Sequence, residues 1–183
     1  NQNFLTPEFW QPMVETVHGT IVECNTAYPG ERNTTDAHRR TMIKHGWSKL
    51  FDVDILDAEG PDLELPIPNG KRIQKNLVGK DIKNYDSMLV LSHFKGHPMG
   101  GFGGALKELS IGCASSAGKA NIHGAGKPEE MWTTEQNAFL ESMADAAESV
   151  VKLFDGKIVY INVMKNMSCL LYTSDAADER SSV

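Results

Sequence analysis

His93 and His97 stand four residues apart, with Lys95 between them, in the stretch LSHFKGHPMGGFGGALKELSIG (residues 91–112). Imidazole titrates near neutral pH, so such a pair suits metal ligation or proton transfer. Gly100, Gly101, Gly103 and Gly104 follow, and Lys107 lies just beyond. Glycines leave backbone amides uncovered, and amides at a helix start favour an anion. His123 sits in KANIHGAGKP, again beside glycines. Three histidines could ligate zinc, but no cysteine or carboxylate has the spacing of a structural zinc site. The glycine string matches neither the dinucleotide fingerprint nor a phosphate-binding P-loop. The bland alternative is a glycine turn needed for close packing, each histidine being a hydrogen-bonded loop residue. His18 and His45 are read that way.

A second cluster is CNTAYPGERNTTDAHRR (residues 24–40). A strand end feeds a loop carrying Arg32, and a threonine-capped helix carries His38, Arg39 and Arg40. Arginine there could clamp a carboxylate or phosphate by paired hydrogen bonds. The alternative for Arg39 or Arg40 is a solvated helix face. Cys24 reads as a buried strand residue. Cys113 could be a ligand or a reactive thiol, with an inert small residue as the simpler reading.

These residues need a frame, and the pattern supplies one. Thr6 and Pro7 open a helix through about Val17. TIVECN (residues 20–25) and DVDIL (residues 52–56) read as strands. Thr34 or Thr35 caps a helix that runs to His45 and stops at Gly46. LELPIPNGKRIQKN reads as a hairpin, with Asn69-Gly70 providing a tight turn. VGKDIKNYD is a short helix or turn, SMLVLS (residues 87–92) is a buried strand, and a helix spans about Gly104 to Leu109. Thr134 to Asp155 carries apolar residues at three- and four-residue spacing, with Thr133 and Gln136 as its capping box. Gly156 closes it, and KIVYINV is a third buried strand. Strands alternating with helices predict an α/β fold: a largely parallel sheet with helices on both faces, plus a small β-hairpin.

The chain has 183 residues, the size of one domain. It carries 18 Lys+Arg against 24 Asp+Glu and no basic block, which argues against nucleic acid as a partner. No apolar run approaches the ~20 residues that cross a bilayer. Three scattered cysteines without a CxxC pair fit a reducing, cytoplasmic setting. The chain opens without Met and is read as a fragment, a truncated domain over residues 1–168. The stretch CLLYTSDAADERSSV (residues 169–183) changes character abruptly and is read as a non-native or disordered tail.

NYDSMLVLSHFKGHPMGGFGGALKELSIGCASSAGK, together with CNTAYPGERNTT, resembles the domain of unknown function 362 family, a group of uncharacterised iron–sulfur-centre proteins. The resemblance covers Asn1 to Ser168. It implies a cysteine-rich continuation and an iron–sulfur cluster, of the four-iron ferredoxin-like kind, in a C-terminal part missing here. This chain has no cysteine set able to hold one. Phe94 to His123 is also similar, more remotely, to the nickel-pincer lactate racemases. That similarity implies that His97 moves protons, Lys107 holds a cofactor and His123 binds metal, with His38 available as a second catalytic histidine.

Three functional readings follow. The first is a cofactor-dependent oxidoreductase or isomerase. In it His97, Lys107 and His38 act on a small anionic substrate. Arg32 and Gly100, Gly101, Gly103 and Gly104 bind an unknown metal or organic cofactor, His93 and His123 ligate metal, and a redox partner supplies electrons. The second is an electron-transfer or cluster-binding module in which this domain is scaffold. The third is a pincer-type racemase. The chemical readings rest on His97, Lys107 and His123 converging around a common pocket roofed by bare peptide amides; the scaffold reading does not.

Overall fold

The computed structural model describes residues 4–165. In chain order it runs α1 (Pro7–Val17), β1 (Ile21–Glu23), α2 (Thr35–Lys44), α3 (Trp47–Leu50), β2 (Val53–Ile55), β3 (Leu63–Pro66) and β4 (Lys75–Val78). It continues with β5 (Met88–His93), β6 (Lys95–His97), β7 (Gly101–Gly103), α4 (Ala105–Lys107), α5 (Ser116–His123), α6 (Gln136–Phe154) and β8 (Ile158–Val163). A 3₁₀ turn occupies Lys80–Asn84, and a π-helical turn, Glu108–Gly112, prolongs α4.

Two parallel ladders form the central layer: β1 beside β2, with Ile21 opposite Val53, and β5 beside β8, with Met88 opposite Ile158. Successive strand residues point to opposite faces. Val22, Leu56, Val90 and Ile158 therefore share one core with Ala147, Val150 and Phe154 of α6. Ile21, Leu91 and Val163 point the other way, onto Trp10 and Val14 of α1. The fold is α/β, with helices against both faces. The single sheet expected from the alternation is instead split. Among the described residues no ladder joins β1 to β5. Ile21 and Glu23 of one and Leu91 and His93 of the other face a shared cavity instead.

The hairpin between β3 and β4 is antiparallel, with Pro66 opposite Lys75. It does not close on a tight Asn-Gly turn. Residues 67–74 form a longer loop, and Gly70 is not among the left-handed glycines. Glycine is needed at 70 for space, since a Cβ there would lie 1.9 Å from the Ile73 carbonyl oxygen. The loop is moulded by Asp145 of α6. Its carboxylate accepts the backbone N–H groups of Lys71 at 3.0 Å, Arg72 at 2.6 Å and Ile73 at 3.1 Å. Gly118 does similar steric work for α5, where a Cβ would sit 1.9 Å from the Leu77 carbonyl oxygen. The helix therefore lies directly on β4.

Helix α6 is capped by Glu135, not by the Thr133 box. The Glu135 carboxylate accepts from Asn137 N at 3.1 Å and Ala138 N at 3.0 Å. Thr133 Oγ1 turns back to the Glu130 carbonyl. A carboxylate satisfies two orphan donors and also complements the positive helix end. Glu135→Ala is expected to cost about 1 kcal/mol, and Thr133→Ala less than about 0.5 kcal/mol. Urea unfolding of both variants checks the assignment, and the reverse order would restore the threonine cap. Strand β8 is also less buried than its composition suggests, with Val159 60% and Tyr160 45% exposed.

Candidate functional site

The glycine-rich segment is not an open loop. Lys95 pairs opposite Gly103 and His97 opposite Gly101, making a small antiparallel hairpin. His97 is buried, and its Nδ1 accepts the Gly100 N–H at 2.9 Å across the turn. The hairpin delivers the chain to α4, whose first N–H, on Ala105, donates to Asn162 Oδ1 at 3.0 Å. A Cβ at Gly104 would crowd that contact, approaching the same oxygen to 3.0 Å. Lys107 is the last residue of α4, just before the π-helical turn.

The second cluster is fixed from the other side. Asp57 accepts Asn25 N at 2.8 Å and Ser116 N at 3.0 Å, so one carboxylate ties the end of β1 to the start of α5. Thr26 N donates to the Arg32 carbonyl at 2.9 Å and closes the loop between them. The Arg32 guanidinium comes within 4.0 Å of Glu23. Helix α2 starts at Thr34, whose hydroxyl accepts from Ala37 N. One turn on, His38 is 1% exposed. Asn25 Nδ2 donates to Thr35 Oγ1 at 3.1 Å, which directs Asn25 Oδ1 at His38 Nδ1, 3.2 Å away. Nδ1 therefore carries the proton, and Nε2 is the basic nitrogen. Burial first, then the charges of Arg32 and Lys119, push the imidazole down to about 4, so the ring is neutral at pH 7.

These pieces enclose two connected spaces. An outer chamber of about 790 Å³ includes Arg32, His38, His93, Gly103 and Lys107 in its wall. An inner recess of about 130 Å³ is lined by Arg32, Lys107, Lys119 and His123, among others. Arg32 and Lys107 border both, with Glu23, Thr26, Tyr28 and Glu108. His123 is buried. Its Nδ1–H donates to the Lys119 carbonyl at 2.7 Å, and its ring stacks on Phe139 at 4.8 Å. Arg32 and Lys107 thus stand between His38 in the wall of one space and His123 in the wall of the other. His93 stands at the rim, its Nε2 bonded to the Lys165 carbonyl. His97, Gly100, Gly101 and Gly104 line neither space; they shape the hairpin that carries Lys107.

Sequence reasoning missed Lys119, Glu23 and Glu108. Lys119 is four residues before His123 on α5, a spacing that puts both on one helix face. That signal was present. The carboxylates gave none, because nothing in their neighbourhood distinguishes them from surface acids.

The site's chemistry also bears on metals. Among the described residues, no three His, Cys, Asp or Glu side chains are grouped to hold an ion. Of the two histidines expected to ligate metal, His93 lines the outer chamber and His123 the inner recess. Cys24 and Cys113 are buried side by side, with Cys24 Sγ donating to the Cys113 carbonyl at 3.5 Å. Burial pushes both thiols up, that of Cys113 to about 12, whereas a cluster is held by thiolates. The described residues do not fit an iron–sulfur cluster. Cys169 lies outside them.

The model of a domain of unknown function (DUF362) matches residues 1–180. The chain belongs to the DUF362 family. No curated protein and no solved structure matches it. The match extends into residues 169–180, part of the segment read as a tail, which lies outside the described residues. The two stretches that carried the DUF362 resemblance are the ones that build the cavity: CNTAYPGERNTT brings Arg32, and the glycine-rich segment brings Lys107. Among the described residues, no helix is long and apolar enough to cross a membrane.

Proposed function

We propose that this domain binds a small anionic substrate where the two chambers meet and acts on it by proton transfer. The supporting observation is the junction itself. Arg32 and Lys107 come from separate segments, yet both border the outer and inner spaces, with neutral His38 in the wall of the outer one. Arg32 and Lys107 hold the anion, and His38 Nε2 accepts or returns a proton. An imidazole held near 4 is a weak base. Burial is the larger cause of that lowering and the charges of Arg32 and Lys119 the lesser; a bound anion offsets the lesser one, so the base strengthens somewhat when the substrate is in place. Nδ1–H stays on Asn25 throughout and keeps the ring aligned. The oxidoreductase or isomerase character of this reading, with its iron–sulfur cluster and redox partner, rests on the family resemblance. The described residues contribute no ligand to that cluster.

Calorimetric titration with inorganic phosphate and with pyruvate tests this. Arg32→Gln and Lys107→Met are each expected to weaken binding about tenfold or more, the size of one charged hydrogen bond. Thermal melts confirm that the variants are folded. His38→Asn retains binding but loses exchange of pyruvate methyl protons with deuterated solvent. Wild-type protein that binds neither probe, or variants that bind as wild type does, would leave the domain a scaffold.

A further inference from the structure

Lys119 is 7% exposed and lines the inner recess. An ammonium has three donors. Among the described residues its acceptor is the Ala114 carbonyl, at 2.6 Å, and it has no ion pair with a carboxylate. A buried charge left with one neutral acceptor is costly unless something else compensates it. The recess around it carries Arg32, Lys107 and Lys119 against Glu23 and Glu108, an excess of positive charge. The outer chamber is balanced: Arg32, Lys95 and Lys107 face Glu23, Glu31 and Glu108. The same outer chamber has an apolar wall of Leu5, Trp10, Ile21, Met42, Trp47 and Leu91.

We propose that the inner recess is a subsite for the acidic head of the ligand, contacted by Lys119, and that the outer chamber takes an apolar body attached to that head. The substrate class is an amphipathic organic acid. This rests on the proposed anion-binding function and adds orientation and class to it. A recess of about 130 Å³ accommodates a carboxylate or phosphate with little else. An apolar group placed there would strand Lys119, and a head left in the outer chamber would find no net opposite charge. Both penalties vanish when the head points inward. The chain then lies against the cluster that α1 packs on Ile21 and Leu91.

The test is a chain-length series of acetate, butyrate, hexanoate and octanoate, with hexanol as the uncharged counterpart, titrated into the full 183-residue chain. Tryptophan fluorescence reports binding, since Trp10 and Trp47 line the outer chamber. Affinity is expected to rise about two- to fourfold per methylene. Hexanoate should bind wild type at least tenfold more tightly than hexanol does. Lys119→Met should remove that preference, and Lys119→Arg should keep it. Equal affinity along the series, or a preference for hexanoate that survives Lys119→Met, overturns the inference. If inorganic phosphate binds through Arg32 and Lys107 while octanoate fails to compete, the subsite and class are wrong and the anion-binding function stands. If no probe binds, both fall. Should Lys119→Met not fold, the series and the hexanol comparison on wild type decide alone.

Discussion

Asp145→Ala is expected to destabilise the domain by about 3–5 kcal/mol, a large share of the 5–15 kcal/mol that holds a typical domain together. Asp145 is 8% exposed, on the inner face of α6. It accepts three consecutive backbone N–H groups, those of Lys71, Arg72 and Ile73. Hydrogen bonds to a charged acceptor are worth more than neutral ones, and donors left unmet cost more than the bonds contribute. Alanine leaves the Ile73 N–H buried without an acceptor. It also releases the loop that seats Ile67 and Ile73 in the core around Phe139 and Met143. The control lies one helical turn away. Glu141 pairs with Lys71 and Arg72 of the same loop, but those cations are 68% and 41% exposed. Glu141→Ala should cost about 1 kcal/mol or less, as solvated ion pairs do. Urea unfolding of the two variants separates them. Equal, small losses would show that the loop is held by its own turn and not by α6.

Much of the frame was legible because it depends on local signals. Pro7, Thr34, Gly46 and Gly156 mark helix ends through chemistry within one turn, and those boundaries fall where expected, although the Thr6 hydroxyl makes no cap bond to α1. The pairings were less legible, because they depend on distant partners. Asn69-Gly70 looks like a tight turn until Asp145, far along the chain, takes up the neighbouring amides. The glycine run looks like a loop until Lys95 and His97 pair across it. The same limit separates the site residues. Arg32, His38, Lys107 and His123 were singled out by type and spacing; Arg32 and Lys107 border both cavities, His38 the outer one and His123 the inner one. His97 was chosen by the same reasoning but lines neither cavity, and its Nδ1 accepts the Gly100 N–H of its own hairpin at 2.9 Å. Lys119 was passed over because a lysine on a helix is usually solvated, and only burial between α5 and the β1 loop makes it unusual.

His38 should make the domain acid-labile in a window that one substitution removes. Its folded imidazole lies near 4 against an ordinary 6.5, lowered by burial and then by Arg32 and Lys119. Between those values the unfolded chain takes up a proton that the folded chain refuses, so stability is intact above pH 6.5 and falls as pH drops towards 4. At 1.36 kcal/mol per unit, the full window amounts to about 3 kcal/mol. His38→Asn keeps a donor towards Asn25 Oδ1 but cannot titrate. Between pH 7.5 and 4.5 wild type is expected to lose about 2–3 kcal/mol more than the variant, read from urea unfolding at each pH. Other groups that titrate there, His45 among them, contribute to both proteins and cancel in the difference. Parallel losses would mean that His38 is solvated or charged when folded, and its burial as a neutral ring beside Arg32 and Lys119 would fall. A resonance-monitored ring titration gives the same answer independently: a midpoint near 4 is that of a ring buried beside Arg32 and Lys119, and a midpoint near 6.5 is that of a solvated one.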